Sequence, residues 1–308
     1  MTPKTSVVVV TYNHAAFIDQ ALESVLGQRT DHDFEVIISE DASTDGTHEI
    51  VKRWQERFPS VVRLLLSEKN LRSNETVRRG FHAARGKYVS LLDGDDCWSS
   101  PDKLARQAAV LDADPSLSLC FHNAVVSTGT TRFGGLWTDP SLKARLGLAD
   151  LWEGNPFATC GSMFRRACVP RIPDWYCQVG GMITDWPLYV LFAEKGDIAF
   201  LPEAMGVYRL HPGGAFSPKS DLTKLETMEM LYRIVNEGTE FRHDKDLRAG
   251  HGRYFLDMAR TYLDQGRTDL ARRCLREARS YRPRGQFRGL AEAFSLEVRS
   301  WLRRRASL

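Results

Sequence analysis

The chain has 308 residues, of which 43% are hydrophobic and 26% are charged, and its formal net charge at pH 7 is +3. These values are ordinary for a folded enzyme of about two domains, and they exclude a largely disordered chain. No apolar run approaches the ~20 residues that a membrane-spanning helix needs. No signal-peptide pattern precedes the apolar run that begins at Val7. We therefore expect neither a membrane-spanning helix nor a secreted protein.

Cysteine spacing and charge distribution indicate the redox compartment and the kind of partner. The cysteines show no Cys-x-x-Cys pairing, which argues against a zinc site and a disulfide framework and favours reduced thiols in a cytoplasm. Residues 242–308 hold 17 Arg or Lys against 8 Asp or Glu. This basic end predicts either an anionic partner, such as a membrane surface, or a solvated helical face. The six cysteines are Cys97, Cys120, Cys160, Cys168, Cys177 and Cys274.

The first part of the chain alternates predicted strands with predicted helices. The strands are predicted over 6–11, 34–39, 61–66 and 88–92, and the helices over 17–26, 47–58 and 77–84. This alternation predicts a parallel sheet with helices on both faces. Ligands of such sheets bind at the carboxyl ends of the strands. Polar loops that begin at Thr11, Glu40 and Asp93 are therefore expected to meet at one edge.

The third of these loops is the turn from Asp93 through Gly94 and Asp95 to Asp96. An unpaired carboxylate is costly to bury, so these acids must lie at the end of the strand. Gly94 lets the backbone turn so that the carboxylates converge, and converging carboxylates repel one another unless a cation lies between them. Mg²⁺ and Mn²⁺ prefer such ligands. The turn predicts either a metal site or a solvated acidic loop.

The second part of the chain is predicted to be less regular. A helix is predicted over 101–111, a strand over 117–126, and irregular structure over 127–154. Residues 155–166 read as a loop that leads into a strand, and Thr184 as the cap of a helix that ends at Ala193. Short strands are predicted over 198–201 and 205–210.

From residue 219 onward, helical periodicity predominates. Residues 254–278 are predicted to form two helices joined by the turn Gln265-Gly266-Arg267, as in one tetratricopeptide-type hairpin. The last predicted helix carries an apolar stripe from Phe287 to Trp301 and ends in three arginines. It is either a membrane-surface element or a helix docked on the core.

Three segments in this order resemble family 2 glycosyltransferases: Val7 to Asn13, Phe34 to Thr47 and Gly86 to Asp96. The resemblance covers roughly residues 4–215 and is specific to the family rather than to a substrate. It implies the GT-A fold, which is a Rossmann-like α/β sheet with helices on both faces, and an inverting, metal-dependent enzyme.

The same resemblance implies a division of the chain. Residues 1–215 would form the glycosyltransferase domain, with a nucleotide-binding half over about 1–126 and an acceptor half over about 127–215. Residues 216–308 would form a helical C-terminal extension that is partly tetratricopeptide-like.

The resemblance also implies a nucleotide site. Thr11, Tyr12 and Asn13 would line the nucleobase pocket, where the Tyr12 ring can stack on the base. Asp41 would accept a hydrogen bond from the N3–H group of uracil or thymine. Arg78 falls where the family often has an arginine near the base or the phosphates, and Arg79 stands where an asparagine is commoner.

Four residues are implied as metal ligands for Mn²⁺ or Mg²⁺. Asp96 would bind the metal, Asp95 the ribose or the metal, and Asp93 is the first acid of the DxD triplet. His211 resembles a late histidine of the family near the metal or the diphosphate. A structural role in a turn is the alternative for His211.

The catalytic base is implied at Asp185, because Ile183-Thr184-Asp185-Trp186 resembles the family's catalytic segment. Inversion requires a base on the face opposite the leaving group. Simple capping of a helix is the alternative role for Asp185. Exposed tryptophans would suit a sugar-stacking platform, with burial in the core as the alternative, and the candidates are Trp98, Trp137, Trp152 and Trp186.

These roles together predict transfer of a sugar from a UDP- or dTDP-sugar to a hydroxyl of a carbohydrate or lipid-linked acceptor. Bacterial surface polysaccharide or glycoconjugate synthesis is the expected setting. We expect a cytoplasmic protein, with peripheral contact at the inner face of the membrane through the basic C-terminal helix, and no nucleic-acid partner. Two alternatives are a nucleotidyltransferase acting on sugar phosphates, which lacks its Gly-rich loop here, and a non-catalytic scaffold using the helical tail.

Overall fold

The computed structural model describes residues 2–128, 132–152, 154–181, 183–216 and 218–281. Within these ranges it contains one sheet of ten strands and nine α-helices. The strands are β1 (Thr5–Thr11), β2 (Phe34–Glu40), β3 (Val62–Leu66), β4 (Tyr88–Asp93), β5 (Cys97–Trp98), β6 (Leu117–Thr128), β7 (Arg132–Leu136), β8 (Arg145–Leu146), β9 (Ser162–Arg165) and β10 (Asp197–Leu210). The helices are α1 (Ile18–Leu26), α2 (Thr47–Arg57), α3 (Glu75–Ala83), α4 (Lys103–Ala113), α5 (Leu148–Leu151), α6 (Trp186–Ala193), α7 (Asp221–Gly238), α8 (Asp244–Asp264) and α9 (Thr268–Ser280).

The sheet has the strand order β3-β2-β1-β4-β9-β6-β10-β5. The first four strands in this order are parallel, as the alternation of strands and helices predicts. Strand β9 then lies antiparallel between β4 and β6, and β6 runs parallel to β10. In the register, Thr11 pairs with Glu40 and Val10 pairs with Asp93. The three predicted polar loops therefore do begin at the same edge of the sheet.

The buried apolar residues of β1, β2 and β4 pack against helices, which explains why the strands read as continuous apolar runs. Val7, Val9, Val36, Ile38 and Leu92 have no exposed surface in this core. Burial of a side chain of this size contributes about 1.5–3 kcal/mol. The sheet edge that carries the polar loops is thus fixed by a well-packed layer behind it.

Two features of the second half differ from the prediction. The short strands predicted over 198–201 and 205–210 are one strand, β10, which pairs with β6 on both sides of a register shift between Leu201 and Gly206. Pro202 and Glu203 lie exposed in that shift. A proline and a charged residue inside an apolar pattern indicate the end of a strand, which is why the sequence predicts two strands here. Residues 127–154 contain β7, β8 and α5 in addition to loops.

The chain divides into two compact units. The first comprises the described residues of Met1–Leu151 and Asn155–Val235, and the second those of Trp152–Gly154 and Asn236–Leu308. The division falls inside α7, whereas the sequence predicts that the first domain ends at residue 215. Helix α7 packs within the first unit up to Val235, where the Tyr232 ring lies 5.3 Å from that of Trp186.

The second unit contains the predicted helical hairpin. Helices α8 and α9 are joined at Gln265-Gly266-Arg267, as predicted, although α8 begins at Asp244, ten residues before the predicted start. Gly250 allows α8 to approach the backbone of Trp152, since a Cβ there would lie 1.9 Å from the Trp152 carbonyl oxygen. The predicted basic helix from 287 to 301 lies outside the described residues. Within the described part of the chain, none of the helices has the length and apolar character of a membrane span.

Candidate active site

The loops that follow β1 and β2 form one side of the candidate site. Asn13 has a φ of 56°, its N–H donates to Ser43 Oγ at 2.9 Å, and its Oδ1 accepts from the Thr44 N–H at 2.8 Å. Through these two hydrogen bonds, Asn13 holds the two loops together. Tyr12 beside it is 39% exposed, so its ring is available to a ligand, whereas Thr11 is buried. The structure thus brings together the predicted nucleobase residues of both loops.

Asp41 directly follows β2 on the same side of the candidate site and is 6% exposed. Its Oδ1 accepts hydrogen bonds from Ser67 Oγ and from the Leu71 N–H, both at 3.0 Å. These contacts fix the carboxylate against the loop that follows β3. A carboxylate has about four acceptor positions, so Asp41 retains capacity to accept a further N–H group.

Arg78 does not lie beside Asp41. Its guanidinium donates to Glu75 Oε2 and to Asp174 Oδ1, and so forms an ion-pair cluster at the surface of α3. The predicted nucleotide-binding role of Arg78 therefore stays a prediction, with its guanidinium engaged elsewhere in this structure.

Arg79 is the arginine that lies under the pocket. Its guanidinium joins β2 to β3 and the loop after it by donating to Ser39 Oγ, Ser67 Oγ, and the carbonyl oxygens of Glu40 and Leu65, at 2.7–3.0 Å. Ser67 also donates to Asp41, so Arg79 supports the Asp41 carboxylate indirectly. Sequence reasoning missed this role, although Arg79 was noted as a departure from the family pattern.

The acidic turn after β4 packs directly on β1. The Gly94 N–H donates to the Val10 carbonyl at 2.8 Å. A Cβ at Gly94 would lie 2.7 Å from Thr11 Oγ1 and 3.0 Å from His14 Nδ1, closer than a side chain can be accommodated without movement. Glycine is therefore required here by close approach. The same contact joins the base pocket to the acidic turn.

The three carboxylates of the turn have different environments. Burial, with the charges of Asp95 and Asp185, raises the pKa of Asp93 to about 8. Burial and the same Asp95 charge raise the pKa of Asp96 well above its usual value. Burial alone would raise the pKa of Asp95, but the hydrogen bond from His211 lowers it below the usual value. Asp95 is therefore the acid whose charge the protein itself stabilises.

His211 lies beside the turn, as the sequence predicts. Its Nε2 is 3.0 Å from Asp95 Oδ2, and its ring packs against Phe17 at 4.6 Å between centroids. His14 Nε2 lies 3.6 Å from the same Asp95 oxygen, and burial lowers the pKa of His14. Asp95 thus has two imidazole neighbours, of which sequence reasoning found one.

Arg209 is a further member of the site that sequence reasoning missed. Its backbone N–H donates to Asp96 Oδ1 at 2.8 Å, and its guanidinium donates to the Asp95 carbonyl at 2.5 Å and to Gln20. The end of β10 is thereby tied to the acidic turn. The available signal was its position two residues before His211.

The predicted metal ligands do not form a preformed site. Among the described residues, no group of three or more His, Cys, Asp or Glu side chains is arranged to hold a metal ion. The donor chemistry nevertheless fits, because Asp96 Oδ2 is buried and has no hydrogen-bond partner in the described part of the chain. Mg²⁺ and Mn²⁺ commonly combine one or two carboxylates with substrate phosphates. Asp96 is the residue that fits this partial site best.

Asp185 lies at the N-terminus of α6 and caps it, which corrects the prediction that Thr184 is the cap. Its Oδ1 accepts from the Trp186 N–H at 2.8 Å, and its Oδ2 accepts from Asn155 Nδ2 at 2.6 Å. Burial raises its pKa above the usual value. The Asp185 charge also raises the pKa of Asp93. The structure shows the capping role of Asp185, and its role as catalytic base stays a prediction.

Of the four tryptophans considered for sugar stacking, three are buried and belong to the core. Trp98, Trp152 and Trp186 are at most 5% exposed, whereas Trp137 is 37% exposed. The Trp98 indole donates to the Cys160 carbonyl, and that of Trp186 to the Leu151 carbonyl. Only Trp137 among these four retains the exposed ring that a stacking role needs. All six cysteines are free thiols.

A comparison with protein families matches residues 6–171 to the family described as glycosyl transferase family 2. The matched region includes the loops of Thr11 and Asp41 and the acidic turn. The chain belongs to glycosyl transferase family 2.

Individual relatives agree with this assignment. An uncharacterised protein of Mycobacterium tuberculosis is 36% identical over 209 residues, which is 68% of this chain and 59% of that protein. The chain therefore matches about three fifths of the length of this relative. A Bacillus subtilis protein provisionally named as the teichuronic acid biosynthesis glycosyltransferase TuaG is 31% identical over 129 residues, or 42% of this chain and 50% of that protein.

Solved structures show the same GT-A fold. The mannosyltransferase PcManGT of Pyrobaculum calidifontis, in complex with GDP-Man and Mn²⁺, matches with a TM-score of 0.58 at 20% identity, over 98% of this chain and 83% of that one. S. aureus TarS in complex with UDP-GlcNAc matches with a TM-score of 0.54 at 18% identity, over 90% of this chain and 92% of that one. At these identities the likeness is one of fold.

Proposed function

We propose that the chain is an inverting, metal-dependent glycosyltransferase that moves a sugar from a UDP- or dTDP-sugar to an acceptor hydroxyl. The observation that carries this proposal is that Asp41 and the turn from Asp93 to Asp96 meet at one sheet edge, and that the charge of Asp185, at the start of α6, acts on Asp93 in that turn. Asp41 suits the N–H group of a nucleobase, and the acidic turn suits a diphosphate with its cation. Asp185 suits the proton of an acceptor hydroxyl. Such a division of roles needs all three in one cleft.

The part of the cleft that would bind the sugar donor is assigned from its hydrogen-bond acceptors and its exposed aromatic ring. Asp41 would accept the N3–H of uracil or thymine, and the Tyr12 ring would stack on the base. Asp96, with Asp95, Asp93 and His211, would hold Mn²⁺ or Mg²⁺. A bound cation would neutralise the charge that develops on the departing nucleoside diphosphate. Family membership and the Mn²⁺ in the PcManGT complex support this assignment.

The catalytic base is assigned to Asp185. It would take the proton of the acceptor hydroxyl while that oxygen attacks the anomeric carbon from the face opposite the diphosphate, which inverts the configuration. Its raised pKa improves the carboxylate as a base. The hydrogen bond from Asn155 fixes the Oδ2 atom and leaves the remaining lone pairs for the hydroxyl.

The biological setting is proposed from the relatives and from the chain's own chemistry. The name of TuaG supports bacterial surface polysaccharide or glycoconjugate synthesis. Six free thiols support a reducing compartment, the cytoplasm. We assign catalysis to the domain predicted over 1–215, and to the helical extension a peripheral contact at the inner face of the membrane.

Thermal unfolding with nucleotides tests the donor assignment. UDP with Mn²⁺ should raise the melting temperature, because ligand at 100 times its Kd stabilises the native state by about 2.7 kcal/mol. EDTA should remove that gain, and ADP should not reproduce it. Stabilisation by GDP but not by UDP or dTDP would overturn the choice of base. A chain that responds to no nucleoside diphosphate would not be this enzyme.

A further inference from the structure

An exposed aromatic surface lies at the end of β7, in the predicted acceptor half. Trp137 follows β7 and is 37% exposed, and Leu136 before it is 45% exposed. The indole packs against the ring of Tyr208, with 4.7 Å between centroids and 59° between planes. Single exposed apolar residues are common on protein surfaces. This pair therefore needs further evidence before it can be read as a binding site.

The first evidence is that the backbone beside the indole is fixed by a buried amide. Asn123 has no exposed surface, and its side chain accepts from the Thr138 N–H at 3.0 Å and donates to the Thr138 carbonyl at 2.7 Å. The Trp137 N–H donates to the Ala124 carbonyl at 2.8 Å. An indole held in this way keeps its position without a ligand, so little conformational entropy is lost on binding.

The second evidence is that the same segment is linked to both carboxylate centres. Thr138 Oγ1 donates to the carbonyl of Pro156, and the neighbouring Asn155 donates to Asp185 Oδ2 at 2.6 Å. On the other side, Tyr208 precedes Arg209, whose N–H binds Asp96. The aromatic pair is therefore tied to the catalytic base and to the acidic turn through short chains of hydrogen bonds.

The third evidence is that the adjoining surface is open. At Gly135, two residues before Trp137, no heavy atom of the described residues other than its own chain neighbours lies within 4 Å of the position that a Cβ would take. Asp139 and Asn155 nearby in these chains are exposed polar residues. An aromatic face with an open flank and polar neighbours is the usual composition of a site for an amphipathic ring.

We propose that Trp137 and Tyr208 form an acceptor subsite that binds a pyranose ring, with the C–H face of the sugar on the Trp137 indole. This subsite rests on the proposed function, since it names the acceptor class for the same cleft. A sugar fits better than an acyl chain because, among the described side chains of this segment, the large exposed apolar ones are Leu136 and Trp137, whereas the neighbouring polar groups can bind hydroxyls. The acceptor is therefore a carbohydrate whose sugar is recognised directly.

Fluorine NMR tests binding without requiring turnover. Full-length protein labelled with 5-fluorotryptophan, with Trp137→Phe to assign the resonance, would be titrated with aryl glycosides of glucose, galactose, mannose and N-acetylglucosamine in the presence of UDP and Mn²⁺. At least one glycoside should shift the Trp137 resonance in a saturable manner. If no glycoside does so, or if dodecyl phosphate does so and the glycosides do not, the sugar subsite is wrong.

Steady-state kinetics with the glycoside that binds gives the second test. Trp137→Ala should raise the acceptor KM about tenfold or more while UDP binding, which reports on folding, is retained, and Trp137→Tyr should recover most of the loss. Gly135→Leu, which fills the open flank, should raise the same KM. Phe241→Ala, which removes an exposed ring of the second unit, is the control.

The two proposals fail in different ways. A wild-type chain that binds no nucleoside diphosphate contradicts the proposed function. A chain that binds UDP normally, and whose Trp137→Ala variant keeps a wild-type acceptor KM, contradicts only the subsite. Intact UDP binding by the variant also shows that it is folded.

Discussion

The predicted nucleotide half, over about 1–126, and the predicted acceptor half, over about 127–215, position their candidate site residues by different means. In the nucleotide half, Thr11, Asp41 and the acidic turn each follow a parallel strand, so the sheet alone brings them to one edge. In the acceptor half, Asp185 and Trp137 lie on separate loops that are joined by side-chain hydrogen bonds. Backbone topology fixes the first set, and a few individual side chains fix the second.

This difference has consequences for mutation. A side chain of the nucleotide half that holds loops together should affect folding, whereas its neighbour on the surface should not. A side chain of the acceptor half should affect turnover with little effect on stability. The variants below separate these effects, in order of decreasing size.

The largest effect is expected for Asp185→Asn. Asparagine remains a good helix cap, so stability should hold, while loss of the base should lower kcat by about 10³-fold. Stopped assays of sugar transfer and calorimetry with UDP and Mn²⁺ would measure both. Turnover within a few-fold of wild type would place the base elsewhere, and loss of UDP binding would show a wider structural defect.

The next effect is expected for Asp96→Asn. The isosteric amide can still accept from the Arg209 N–H through its oxygen, but it removes the carboxylate charge next to the proposed cation. Affinity for UDP in the presence of Mn²⁺ should fall by about 100-fold, the upper range for disturbing a metal site. Isothermal calorimetry measures this, with exposed Asp102→Asn as the matched control. Equal affinity of the two variants would exclude Asp96 as a ligand.

Arg79→Met should destabilise the protein more than it changes catalysis. The substitution removes the guanidinium that donates to four part-buried oxygens, of which the Glu40 carbonyl retains the Ser67 N–H as a donor, and this loss should cost about 1–3 kcal/mol. Arg78→Met is the matched control, because Arg78 pairs with the largely exposed Asp174, and its loss should cost under about 1 kcal/mol. Urea denaturation distinguishes the two. The reverse order of stabilities would contradict this account of the pocket.

The smallest effect is expected for Asn155→Ala. The Asn155 amide lowers the pKa of Asp185 against the rise caused by burial. Without it that pKa should rise further, and because the base must be deprotonated, the acidic limb of the kcat profile should move to higher pH. A kcat reduced by about tenfold at neutral pH accompanies the loss of one hydrogen bond to a charged group. An unshifted profile would show that Asn155 does not hold the base.

The sequence predicts the nucleotide half well because its rules are periodic. Alternating strands and helices place Thr11, Asp41 and Asp96 at one edge without knowledge of any side-chain contact. Arg78 and Arg79 were harder to tell apart, since adjacent helical residues differ by about 100° in direction and only packing decides which one lies inward.

The acceptor half resists prediction for a physical reason. The hydrogen bond between Asn155 and Asp185 spans 30 residues of chain, and such a contact leaves no periodic pattern. Thr184 and Asp185 are both good caps by residue type, so the choice between them depends on the backbone angle at the start of α6. The continuity of β10 past Pro202 likewise depends on its pairing with β6, which is distant in sequence and leaves no periodic pattern.

Under the proposed function, the contact at Gly94 restricts how the donor preference can change. Gly94 lies directly against the Thr11 side chain, and its N–H donates to the Val10 carbonyl, so the walls proposed to face the base and the phosphates pack on each other at this residue. Natural variation or laboratory evolution cannot adjust one wall alone by substitution at residue 94. New donor preference must instead arise at Tyr12 and the loop after β3, while new acceptor preference can arise independently in the loops around Trp137.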